Sequence, residues 1–324
     1  MTKVLGIGNA LVDLLIRLED DRMLEDLNLP KGSMTLVGED TKDQIAEKSK
    51  HLNREMASGG SAANTIHGLA RLGVETAFIG TVGRDETGEF FKNDLEKSHI
   101  HPMLNLSDTH SGLASTLITP DGERTFGTFL GASIELSAGD FTPEMFSGFG
   151  MLHVEGYLVQ NHQLLESILK LAKEAGLKIS IDLASYNVVE DNLNFLKEMI
   201  EKYVDIVFAN EEEAKAFTGL DAEEALNRIS DFTEVTIVKT GSKGSLVKSS
   251  GQITFVDSIK AKVVDTTGAG DLYAAGFLYG MIQGKDMKIS GQIGSLLATE
   301  VIEVMGAKIP DERWGIILEE IKKL

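Results

Sequence analysis

The sequence predicts an α/β protein with a mostly parallel sheet covered by helices on both faces, plus a small β-sheet lid. Short, nearly continuous apolar runs alternate with amphipathic stretches: TAFIGTV (76–82) precedes ETGEFFKNDLEKSHI, KISIDLA (178–184) precedes DNLNFLKEMIEKY, and VDIVFAN (204–210) precedes EEEAKAFTG. Strands that are apolar throughout, with helical segments between them, belong to a parallel sheet buried on both sides. VTIVKTG (235–241) continues the pattern. Two segments break it. Residues 11–37 and 112–130 read as alternating strands joined by turns such as PDGE, with no crossover helices. They predict a small sheet standing apart from the main one, or a pair of surface hairpins on the same domain.

The chain has 324 residues, enough for one large domain with an appendage or two smaller domains. Its formal charge of −19 repels nucleic-acid phosphates and anionic membranes, so neither is an expected partner. An anionic ligand therefore needs a local exception. The absence of cysteine rules out disulfides, thiolate metal sites and cysteine nucleophiles, and fits a reducing cytosol. The first residues read as a strand interrupted by Asp13 rather than a targeting signal. No apolar run reaches the roughly 20 residues that span a bilayer. The expected location is the cytoplasm.

VVDTTGAGDLYAAGFLYG (263–280) supplies the exception. It reads as strand-like residues, a glycine turn and a helix start. Free N–H groups and the positive helix end attract anions there, and glycines let backbone approach a phosphate closely. Asp271 beside such a turn repels a resting phosphate. It makes sense as the base for an alcohol attacking that phosphate. It is also what the dipole favours in any first helical turn. A second cluster, SGGSAANTIHGLARLG (58–73), places Gly59 and Gly60 before a helix beginning with small residues, with Asn64 just behind. Room for a ligand and close helix-to-sheet packing both explain it. Upstream, Asp13 falls in the apolar strand GNALVDLL, where an unpaired carboxylate is costly to bury. A polyol between Asp13 and Asn64 would satisfy it, as would a cation such as Arg17.

Other readings are weaker. Leu11 stands where G-x-G-x-x-G needs its third glycine, and neither G-x-x-x-x-G-K-[ST] nor G-x-S-x-G occurs. A binding module without catalysis would have no need of Asp271. His99 and His101 read as exposed residues at a helix-to-strand junction, and His67 as a packing residue.

Together, SGGSAANTIHGLARLG and DTTGAGDLYAAGFLYG resemble the two signatures of the ribokinase-type (phosphofructokinase-B type) superfamily of carbohydrate and nucleoside kinases, over nearly the whole chain. The resemblance implies a doubly wound fold with a β lid, ATP and Mg²⁺ as cofactors, and a monovalent cation such as K⁺ as an open question. It makes Asp271 the catalytic base and the backbone of Gly268, Ala269 and Gly270 the anion hole. Asn210 and Glu213, spaced N-x-x-E, would act through water on Mg²⁺; without the family they read as a helix cap and an acidic first turn. Thr240, Gly241 and Gly244 would line the nucleotide site, with IGSLLATEVIEVMGA over the adenine. Arg124 is a lid candidate for meeting phosphate, or an ordinary exposed strand arginine.

Within the superfamily, GNALVDLL, SMTLV, GGSAAN and EGYL follow the order seen in adenosine kinases. That likeness places Asn9, Asp13, Gly60 and Asn64 on the ribose, Tyr157 stacked on the base, and Met34 and Leu36 as apolar cover. The expected reaction is phosphorylation of a nucleoside 5′-hydroxyl by ATP, adenosine to AMP foremost. Fructose, ribose or a related free sugar is the alternative acceptor. A homodimer paired through lid edges and a self-sufficient monomer both remain open.

Overall fold

A computed structural model describes residues 2–324. The main sheet has nine strands, built from β1 (Val4–Ile7), β5 (Thr76–Gly83), β6 (Ile100–Ser107), β9 (Met151–Glu155), β10 (Lys178–Asp182), β11 (Ile206–Asn210), β12 (Val235–Lys239), β13 (Ser245–Ser249) and β14 (Gln252–Val256). Their order is β14-β13-β12-β11-β10-β9-β1-β5-β6, and only β13 and β14 run antiparallel to their neighbours. Two apolar clusters lie on the two faces: one contains Ile66, Phe208, Phe277 and Leu297, the other Leu5, Val154, Ile168 and Leu196. Side chains alternate across a strand, so a run apolar at every position can bury both faces. β5 and β9 are buried at every residue.

The second sheet has five strands in the order β3-β8-β7-β2-β4, with β2 (Leu11–Arg17), β3 (Met34–Leu36), β4 (Arg54–Gly59), β7 (Gly112–Ile118) and β8 (Arg124–Phe129). β2 alternates buried and half-buried residues, as a sheet with one covered face requires. Leu14, Ile16, Leu24, Ile45 and Leu117 form its own small core. Two features depart from the expected lid. The Arg22–Asp26 stretch is a helical turn rather than strand. β4 also joins the lid, although its sequence REMASG has no apolar alternation; pairing with β2 recruits it.

The Ser61–Arg71 helix leaves the end of β4 and packs on the Ala269–Ile282 helix. Gly68 makes the approach close: a Cβ there would lie 2.6 Å from Cβ of Ala275. The two glycine-rich segments, some 200 residues apart, thereby meet at their helix starts.

Candidate active site

Parallel strands deliver functional side chains at their C-terminal ends, where loops leave for helices. Here the last residues of four adjacent strands are Glu155, Asp182, Asn210 and Lys239. Three of them, Asp182, Asn210 and Lys239, line a cavity of about 900 Å³ together with Gly268, Ala269, Gly270 and Asp271. Glu155 is buried and not part of its lining.

Asp271 sits in the first turn of the Ala269–Ile282 helix, after Gly268 in the left-handed conformation at φ 75°. Its carboxylate accepts from Ser61 Oγ at 2.7 Å and from Asn64 Nδ2 at 2.9 Å, while its carbonyl accepts from Thr65 Oγ1 at 3.1 Å. Burial pushes the carboxyl up to about 6, against the lowering effect of the two side-chain donors. The Ala269 N–H already donates to the Thr266 carbonyl at 3.2 Å. Gly270 and Asp271, as first-turn residues, have N–H groups without helical acceptors, the usual basis of an anion site.

The segment before this turn is not a strand. Val264 and Asp265 donate their N–H groups to the Ile302 carbonyl, so residues 257–268 run as irregular chain over the end of the Met287–Ile302 helix. β-branched composition suggested a strand, but no neighbouring strand offers a ladder there. Ser295, Ala298, Thr299 and Ile302 of that helix line the cavity, on the side where an adenine was expected; the helix stops at Ile302, short of Ala307.

Asn210 and Glu213 form a capping box. Asn210 Oδ1 accepts from the Glu213 N–H at 2.8 Å, and the Glu213 carboxylate accepts from the Asn210 backbone N–H at 2.8 Å and Nδ2 at 2.6 Å. Both residues also line the cavity. Burial, with Asp182 nearby, raises the Glu213 carboxyl above its ordinary range. Gly241 and Gly244 reach the cavity; Thr240 instead folds its hydroxyl onto the Gly244 carbonyl at 2.9 Å and is not part of the lining.

The acceptor candidates divide. Asn9 Nδ2 donates to Glu155 at 2.7 Å, and burial pushes that carboxyl up to about 7. Gly60 adopts φ 95° against the Asn9 carbonyl, and Gly59 lies over the Asp13 carboxylate. Asp13 is not paired with Arg17, whose side chain is exposed; burial raises its carboxyl to about 7, with the Lys308 ammonium acting against the rise. Lys308 itself bonds Ser58 Oγ at 2.6 Å and pairs with Asp94, tying β4 to the main domain. Tyr157 follows β9 in a helical turn and shares the cavity with Asp182, Lys239 and Asp271, whereas Met34 and Leu36 lie 60% and 62% exposed on the lid edge β3 and are not part of its lining. Arg124 is neither exposed nor free for phosphate. Its Nη1 donates to Asp265 at 2.6 Å and its Nη2 to the Val264 carbonyl, clamping the lid strand to the loop ahead of the glycine turn.

Sequence reasoning missed Ser61 as a partner of the base, and also Glu155, Asp182, Lys239 and Asp265. Ser61 is locally only the first residue of its helix, and the other four are ordinary strand-end or loop residues, for which a charged residue ending an apolar run was the one available signal. His99 and His101 are exposed at their junction, and among the described residues no three His, Asp or Glu side chains group as a metal cage.

Fold and site define a doubly wound α/β enzyme with a second small sheet, a glycine turn opening a helix at the cavity and a partly buried carboxylate in that helix's first turn. The chain belongs to the pfkB family of carbohydrate kinases, whose sequence model matches residues 32–314. It is similar to an uncharacterised sugar kinase of Archaeoglobus fulgidus, 30% identical over 74% of this chain and 96% of the relative. A probable sugar kinase from Rhizobium etli superposes with TM-score 0.87 at 31% identity, covering 100% of this chain and 99% of that one. The adenosine kinase of Sinorhizobium meliloti does so with TM-score 0.86 at 31% identity, over 98% and 99%. The protein is a kinase acting on a carbohydrate or nucleoside. Among its described residues no helix is long and apolar enough to cross a membrane.

Proposed function

We propose that the protein transfers the terminal phosphoryl group of ATP to the 5′-hydroxyl of a nucleoside, adenosine foremost, with Asp271 as the base. The observation carrying this reading is the position of Asp271: partly buried, in the lining of the cavity, and held by Ser61 and Asn64 beside the first-turn N–H groups of the same helix. A carboxylate fixed by two donors cannot swing away. It presents one basic oxygen face to an incoming alcohol while the helix start receives the negative charge that develops on the phosphoryl oxygens.

The donor set fits Mg²⁺. Asn210 and Glu213 offer hard oxygen atoms in the same cavity, few enough for a cation that retains most of its waters. Bound there, Mg²⁺ would offset phosphate charge; Glu213, locked to Asn210, would hold its waters rather than ligate it directly. The cavity volume suits a nucleotide, with Ala298 and Ile302 as apolar cover for its base.

For the acceptor, Met34 and Leu36 favour a nucleoside: exposed apolar side chains on a lid edge would gain by closing over a flat base. Asp13 and Asn9 then meet the ribose hydroxyls. A free sugar is the second reading, favoured by Tyr157, which lies in the phosphate-side cavity rather than with Met34 and Leu36. Turnover of adenosine, inosine, ribose and fructose with ATP and Mg²⁺ decides between them. The expected result is a kcat/KM for adenosine at least about 100-fold above that for either free sugar. Turnover of ribose or fructose with none of the nucleosides would overturn the nucleoside assignment.

A further inference from the structure

We infer that Lys239 is a catalytic residue that binds the transferring phosphoryl group, sharing it with the first-turn N–H groups of Gly270 and Asp271; this rests on the kinase reading above. Lys239 is the last residue of β12, in register with Asn210 on β11, so its side chain rises between the strand ends and the glycine turn. Lys239 lines the cavity alongside Gly268, Ala269, Gly270 and Asp271. A Cβ at position 270 would stand 3.0 Å from Nζ, so glycine there leaves the space between ammonium and helix start open.

The ammonium has three N–H donors. One goes to Asp182 Oδ2 at 2.7 Å, and among the described residues the other two have no protein acceptor. The side chain is only 15% exposed, so those donors are poorly served by bulk water. Asp182 is held in turn by the Ala184 N–H at 3.1 Å, which fixes the pair. The cavity's other lysine, Lys260, is exposed on the irregular loop. Lys239 is therefore the more sheltered of the cavity's two lysines, and its two open donors face the cavity lining beside the glycine turn, where the oxygens of a phosphoryl group can accept them.

In the transfer, the bond from the γ-phosphorus to the β–γ bridging oxygen breaks and its electron pair stays on ADP. A bond from the acceptor oxygen to that phosphorus forms, and the acceptor proton passes to Asp271. Lys239 remains protonated throughout, donating to the equatorial oxygens as their charge grows.

The bland alternative is that Lys239 only neutralises Asp182, and the two roles separate experimentally. Lys239→Met is expected to lower kcat about 10²-fold, with acceptor affinity by calorimetry within about threefold of the unaltered protein. The double variant Asp182→Asn/Lys239→Met removes both charges, so it is expected to fold even where the single change leaves a buried carboxylate unpaired. It is expected to stay equally slow, while Lys239→Arg regains part of the rate. A double variant within about tenfold of normal kcat overturns the assignment. Failure of the kinase reading shows separately, as an unaltered protein that phosphorylates no nucleoside or sugar. In that case binding of a non-hydrolysable ATP analogue with Mg²⁺ still decides, and equal affinity in the unaltered and double-variant proteins overturns the role of Lys239.

Discussion

Replacing Asp271 by Asn is expected to lower kcat about 10³-fold while the affinity for ATP and Mg²⁺ stays within a few-fold. The substitution keeps size and removes only the ability to take a proton. Asn64 can adapt to it: its Oδ1 is buried without a partner, so turning its amide over gives the new amide an acceptor. Rate by coupled ADP assay and binding by calorimetry check the two halves; turnover near normal removes Asp271 as the base.

The same carboxyl sets a pH signature. It sits near 6, so kcat of the unaltered protein should fall about tenfold per unit below pH 6 and level off above it. The stability sign is opposite. The unfolded chain ionises Asp271 near 3.8 and the folded chain near 6, so the native state holds the extra proton between those values and stability falls as pH rises through that window. Above it the buried charge is a standing cost, and the Asn variant should be more stable at pH 8 by about 1–2 kcal/mol. Inactivity accompanied by a raised midpoint in urea is the combination to look for; a variant both inactive and less stable would indicate disrupted packing instead.

Gly60→Ala carries the second large effect, on stability. Gly60 has φ 95° and ψ 136°, a region L residues scarcely enter, and an added Cβ would overlap the Asn9 carbonyl oxygen. Strain and overlap together should cost about 3 kcal/mol or more. Gly148→Ala is the control: φ is 83° but nothing lies within 4 Å of its Cβ, so only the backbone term applies, about 1 kcal/mol. Equal losses in the two variants would mean that the junction yields and the overlap does not matter. Gly60 joins β4 of the lid to the helix carrying Ser61 and Asn64, so the lesion should also slow transfer in whatever protein remains folded.

Much of this architecture is written locally. The segments 76–82, 178–184, 204–210 and 235–241 are strands within one or two residues because a run apolar at every position suits burial on both faces. The capping box at Asn210 and Glu213 is readable from spacing alone. β4 was not legible, since REMASG is recruited by a partner strand about 40 residues away rather than by its own alternation. The Val263–Asp265 stretch misled for the complementary reason: strand composition does not produce a strand where no partner edge is present.

The sequence by itself determined the α/β class, the glycine turn before a helix and the acid within it, because periodicity, glycine conformations and helix starts are properties of neighbouring residues. Only the tertiary structure decided that Ser61 and Asn64 grip Asp271, that Arg124 is spent on Asp265, and that Lys239 stands over Asp182 beneath the turn. Those pairings span 57 to 210 positions of chain, and the burial that moves their protons exists only once the helices and strands have packed. Charge in water is indifferent to its distant neighbours; charge removed from water is governed by them.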